Sequence, residues 1–135
     1  MKISVKIFEN IFIFLFGAIG YVCIEMLWRG SSHWTMLIAG GTCFCIIYHI
    51  ARIRNLNLVK KAIMCMFCIT TVEFLIGIVI NMKLEMNVWD YSYQPANLMG
   101  QICPVYCVLW LFLSLPMIKF SSFVRNKIFV PNYKK

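Results

Sequence analysis

Residues 62–82 read AIMCMFCITTVEFLIGIVINM, and this run decides the fold. At about 1.5 Å of rise per residue it spans roughly 30 Å as a helix, which is the thickness of a bilayer's hydrocarbon core. Its single charged residue is Glu73. A strand of that length would be exceptional, so the run reads as a transmembrane helix.

Working outward, the same pattern recurs on both sides. Toward the amino end, a basic loop from Arg52 to Lys61 precedes the run, an apolar span covers about 34–51, a polar turn occupies Arg29 to His33, and a first span covers about 8–28. Toward the carboxyl end, the longest connection, Lys83 to Asn97, leads to a fourth span at about 98–118 and a basic tail over 119–135. The expectation is an all-α polytopic membrane protein, one domain over 1–135 with four transmembrane helices. Composition agrees: 61% of residues are hydrophobic and 13% charged, against roughly 45–50% and about 25% in soluble domains. The chain has no room for a soluble catalytic domain. Lys2 and Lys6 ahead of the first apolar run imitate a secretory signal, but no small-residue cleavage pattern follows, so the run reads as a retained helix.

The formal charge of +8 would suggest nucleic acid in a soluble protein. Here the cations stand at the ends of apolar runs, where topology and anionic lipid account for them, and no nucleic-acid partner is expected. Lys2, Lys6, Arg52, Arg54, Lys60, Lys61, Lys119, Arg125, Lys127, Lys134 and Lys135 fall on one side of a four-span bundle. Cytoplasmic loops hold the excess of Lys and Arg, so both termini are expected in the cytoplasm of a bacterial plasma membrane. The two outward connections hold Arg29 and Lys83 with Glu85 and Asp90, and they gather Trp28, Trp34, Trp89, Tyr91 and Tyr93 as an interfacial aromatic belt. The seven cysteines all fall in apolar runs and read as small buried hydrophobes, the Cys65-x-x-Cys68 pair included.

Charges inside a membrane are expensive and functional by default. Glu25 and Glu73 are the two singled out in the apolar runs. Positions four apart share a helix face, so Gly17, Tyr21, Glu25 and Arg29 form one stripe and Thr70, Glu73, Gly77 and Asn81 another. Asn97, Gly100, Gln101 and Pro104 gather at the outer end of the fourth span. Glycines beside these positions let backbones approach closely, which turns the stripes toward each other. The expected ligand-binding set is Glu25, Arg29, His33, Glu73, Asn81, Trp89, Asp90, Asn97 and Gln101, lining a funnel that opens outward. Its three carboxylates, Glu25, Glu73 and Asp90, face Arg29 and at most one more cation, His33. A proton, a cation or an amine must balance the excess. No metal-ligand spacing of an established type occurs, so no metal is assigned, and no cofactor is implied. A simpler reading also stands: Glu25 with Arg29 as a helical ion pair, and Glu73 as a hydrogen-bonding lock between helices.

The same residues carry a resemblance. Gly20-Tyr21, Glu25-x3-Arg29, Ser32-His33-Trp34, Gly40-Gly41, Glu73-Phe74-x2-Gly77-x3-Asn81, the segment Val88-Trp89-Asp90-Tyr91-Ser92-x2-Pro95-x-Asn97-x2-Gly100-Gln101-Ile102-Cys103, and Trp110 resemble the bacterial ABC-transporter type IV permease family over about 17–110. The resemblance implies a small polytopic bacterial membrane protein, and it brings no catalytic or ligand residues with it. The chain has no Gly-x4-Gly-Lys-Ser/Thr phosphate loop, so an ATPase would be a separate chain. Transporters usually enclose a path with paired repeats, so transport would need a homo-oligomer or a partner membrane subunit. Three functions are therefore expected to compete. They are a permease-like or solute-binding transport component, a membrane-embedded enzyme acting on a lipid head group with Glu73, His33 and Asp90 as acid or base, and a structural or regulatory subunit.

Overall fold

A computed structural model describes residues 2–130, with the side chain of Lys2 outside the description; Lys134 and Lys135 of the basic tail also lie outside the described residues. Four helices carry the chain: α1 (Lys2–Arg29), α2 (Thr35–Ala51), α3 (Leu58–Gly77) and α4 (Pro104–Ile128). Among the described residues there are no strands beyond one isolated bridge between Leu98 and Ile102. α1, α4 and α3 with its extension to Lys83 are long and apolar enough to cross a membrane, and α2 is a shorter apolar helix. The chain is a multi-pass membrane protein.

α1 and α2 lie antiparallel along a glycine seam. A methyl group at Gly17 would run into the Phe44 side chain, and one at Gly40 into that of Tyr21. With hydrogen atoms at both positions the backbones close up, which is how membrane helices gain van der Waals contact without a hydrophobic driving force between them. α2 also packs on α3 and α4, with Ile47, Ile50, Ala62, Cys65, Ile69 and Ile118 forming a buried cluster. Cys65 is fully buried there. α1 differs from the rest: among the described residues its backbone closely approaches only α2. It meets α4 and the residue that caps it through aromatic side chains, Phe16 on Phe120 at 5.9 Å between ring centroids and Phe12 edge-on to Phe129, just past the helix, at 5.5 Å.

Two elements depart from the sequence expectation. After Gly77 the helix widens into a π-helical turn, Ile78–Lys83, where a regular helix is expected. Asn81 lies within this turn and is buried. The fourth helix begins at Pro104, not near Leu98, and continues to Ile128. Pro104 at its first turn has no N–H to lose. The preceding residues cannot be helical, because Ala96 and Met99 take left-handed backbone angles, φ 54° and 55°. Glu85 and Asn87 do the same. Four such non-glycine residues within the 84–103 connection cost about 1–2 kcal/mol each, so this loop is held in shape by strong anchors.

Candidate functional site

Those anchors are the polar residues of the α3 stripe and of the loop itself. Asn81 Nδ2 donates to Gln101 Oε1 at 2.9 Å, and Asn81 Oδ1 accepts from the Val88 backbone N–H at 2.8 Å. Trp89 Nε1 donates to the Gln101 carbonyl at 3.1 Å. Gly77 makes room for this knot, since a methyl group there would press on both Gln101 and, at 3.1 Å, the Trp89 ring. Farther out, Asp90 accepts from the Ser92 N–H at 2.8 Å. Asn97 donates to the carbonyls of Ser92 and Gln94 and accepts from the Gly100 N–H at 3.0 Å. The Ser92 backbone bond, then its hydroxyl, hold the Asp90 carboxyl below the usual carboxylate range.

Folded this way, the loop reaches back to the helices. Tyr91 stacks on Tyr106 of α4, 4.4 Å between centroids, and its O–H donates to Glu73 Oε1 at 3.0 Å. Trp110 of α4 donates its indole N–H to Glu73 Oε2, also at 3.0 Å. Each carboxylate oxygen of Glu73 thus has one donor, from two different segments. A half-buried carboxyl within a membrane helix is stabilised by such partners.

Glu73 opens onto a cavity of about 390 Å³ whose wall comes from all four helices, with Val88, Trp89 and Tyr91 of the loop beside it. Much of that wall is apolar or aromatic, including Phe16, Ile69, Phe120 and the Cys43 thiol. The whole α1 stripe, Gly17, Tyr21, Glu25 and Arg29, lines it as well. Glu25 pairs with Arg29 at 3.0 Å and accepts the Ser32 hydroxyl at 2.6 Å. Glu25 and Glu73 therefore line one hollow from different helices. Among the described helices only α2 packs its backbone against α1, so where α1 faces α3 and α4 the hollow is bordered by side chains and not by packed backbone.

The residues picked from sequence divide accordingly. Glu25, Arg29, Glu73 and Trp89 line the cavity. Asn81, Gln101, Asp90 and Asn97 are not among its lining residues; they fold the loop that carries Tyr91 to Glu73. His33 also stands apart, its Nδ1 meeting Thr35 Oγ1 at 2.8 Å in the α1–α2 turn. Sequence reasoning passed over Tyr91 and Trp110 as partners of Glu73, although both lie in the segments that carry the family resemblance. It also passed over Glu9, at the entrance of the first span. Glu9 accepts a hydrogen bond from Tyr48 and faces Arg52 at 3.6 Å, and beside it Asn10 meets His49 at 2.9 Å. Glu9 directly followed by Asn10 inside an apolar stretch was the signal.

No solved structure matches the chain. The family described as "Putative ABC-transporter type IV" matches residues 11–134, nearly the whole length. With a multi-pass helical bundle and a match of that extent, the chain belongs to this membrane transport-related family.

Proposed function

We propose that this protein is a membrane-embedded binding component of a transport assembly. It takes an amphiphile whose apolar body fills the cavity and whose cationic or proton-donating head meets Glu73. The observation that carries the reading is the pairing of one unbalanced carboxylate with a mostly apolar wall: Glu25 is matched by Arg29, while Glu73 lines the same hollow with hydrogen-bond donors but no cation paired to it among the described residues. A wholly apolar ligand would leave that carboxylate without a counter-charge, and a small hydrated solute would leave the aromatic wall unused. The side-chain-only flank beside α1 is a route for a molecule arriving from the lipid.

Among the described residues, the basic ones other than Arg29 and Lys83 belong to the end of the bundle opposite the Glu73 cavity. By the positive-inside tendency that end faces the cytoplasm of a bacterial plasma membrane, and the cavity lies toward the outer side. A separate ATPase would dock at the cytoplasmic end, and further copies or partner membrane subunits would complete a path. A lipid-modifying enzyme would need Glu73, His33 and Asp90 around one substrate; His33 and Asp90 stand away from the cavity, so binding is favoured over catalysis.

The test uses the full chain in nanodiscs and three probes of equal chain length, a long-chain alkylammonium, the alkyl sulfate and the neutral alcohol, read by tryptophan fluorescence. Saturable binding that prefers the ammonium is expected. Glu73→Gln should remove the preference, and Gly20→Phe should remove binding of all three. Gly20 lines the cavity with nothing within 4 Å of an added Cβ, so the ring fills space without displacing backbone. No preference among the probes, or binding untouched by Gly20→Phe, would refute the reading.

A further inference from the structure

The end of the bundle away from Glu73 holds a second hollow, about 310 Å³, set between the carboxyl end of α2, the loop after it, the start of α3 and the last turns of α4. Its chemistry is the reverse of the first. Four cations line it, Arg52, Arg54, Lys61 and Arg125, together with the Ser122 hydroxyl and the Asn126 amide. Only Glu9 supplies a carboxylate near them among the described residues, and it is engaged by Arg52 and by Tyr48. Three cations are left uncompensated by any side chain that the described residues place beside them.

We propose that this hollow is a binding site for a phosphoryl group. Arg125 is the first indication: its Nε is buried and has no hydrogen-bond partner among the described residues. A buried guanidinium N–H without an acceptor is uncommon enough to ask for one, and Arg donors form a fork that matches a tetrahedral oxyanion. The second is geometric. The cations come from three separate elements and converge on one volume large enough for a head group, whereas cations that serve only topology have no reason to share a pocket. Lys61 spends one donor on the Ala51 carbonyl, at 2.7 Å, which fixes the ammonium at the rim with further donors to offer. Charge selects among anions: a single carboxylate would balance one cation, while a phosphate group offers several acceptor oxygens and up to about two charges. Basic pockets between membrane helices suit acidic lipid head groups in this way. Two sources share the chemistry, an acidic phospholipid from the adjoining leaflet and a free phosphate. The inference is independent of what occupies the Glu73 cavity.

The full chain, purified in a neutral detergent, is titrated with phosphatidylglycerol, with phosphatidylcholine and with inorganic phosphate, at constant ionic strength set by chloride. Binding is read by native mass spectrometry and by the shift in melting temperature. Arg125→Gln and the double variant Arg54→Gln/Lys61→Gln are expected to weaken binding at least tenfold. Lys127→Gln, which removes a cation that lies over the Phe123 ring and outside the pocket, should leave it within about twofold. Retention of phosphatidylglycerol over phosphatidylcholine with no effect of phosphate assigns the site to a lipid head group; saturable binding of phosphate assigns it to a free anion. Binding of neither would overturn the proposal. So would equal weakening by Lys127→Gln and the pocket variants, since that marks nonspecific charge attraction. If Arg125→Gln fails to fold, the double variant, whose Arg54 is exposed, decides by the same criteria.

Discussion

Replacing Glu73 separates what this carboxylate does for the fold from what it does for a ligand. In Glu73→Ala both donors lose their acceptor: the Tyr91 O–H and the Trp110 indole N–H, each bonded at 3.0 Å. Leaving a buried donor unsatisfied costs about 1–3 kcal/mol, and hydrogen bonds between membrane helices are worth from about 0.6 to about 1.7 kcal/mol. Tyr91 is buried and Trp110 half-buried, so about 1–2 kcal/mol applies to each donor and the variant should lose about 2–4 kcal/mol. Glu73→Gln should lose less than about 1 kcal/mol. Its carbonyl can accept from Trp110, while its NH₂ donates to the Tyr91 oxygen, because a phenol can act as donor or acceptor. The assay is reversible unfolding in mixed micelles, followed by tryptophan fluorescence, with limited proteolysis of the 84–103 loop as a second reading. If Glu73→Ala unfolds within about 0.5 kcal/mol of the parent chain and its loop stays protected, Glu73 does not tie the loop to α4 and the reasoning fails.

The loop itself should answer to its other anchors. Gln101→Ala removes the partner of Asn81 and should speed cleavage within residues 84–103 several-fold while the helices persist by circular dichroism; unchanged cleavage would mean the knot is redundant. Gly40→Leu places a branched side chain against Tyr21, and overpacking of this kind costs about 1–3 kcal/mol. A cysteine cross-link between α1 and α2 should then form more slowly, and an unaltered rate would deny the close seam. For pH, Asp90 is held below the ordinary carboxylate range by Ser92. Its folded pKa is depressed, so its contribution to loop order is present at neutral pH and is lost as pH falls through the folded value. Proteolytic sensitivity of the loop should be flat near neutrality and rise only in acid, and Asp90→Asn should abolish that acid rise.

How much of this was legible in the sequence depends on which physical rule governed each element. The four apolar helices follow from length and hydropathy alone, because a bilayer demands runs of about 20 apolar residues. The α1 stripe was equally legible: Gly17, Tyr21, Glu25 and Arg29 repeat at four-residue spacing, and a straight helix turns such a set to one side, where the structure has all four lining the cavity. The α3 stripe begins the same way and then departs from helical arithmetic. The π-helical turn after Gly77 interrupts the 3.6-residue repeat before Asn81 is reached, and that turn is stabilised by a loop some distance along the chain, through Gln101 and Val88. No local propensity encodes it.

The start of α4 is the sharper case. Leu98 to Cys103 is apolar enough to read as the first turns of a membrane helix, yet the backbone there is already committed elsewhere. Leu98 donates its N–H to Ile102, Tyr91 to Gly100, and Gly100 to the Asn97 side chain. A membrane requires every buried backbone group to be satisfied, and helix is only the commonest way to do so. Here the asparagine, the aspartate and the glutamine supply the alternative, so the residues that look most like ligands in the sequence are the ones that fold the loop. What they gain is position: with the loop folded back, Tyr91 reaches Glu73, and the carboxylate facing the cavity is held by two donors and, among the described residues, has no cation paired to it.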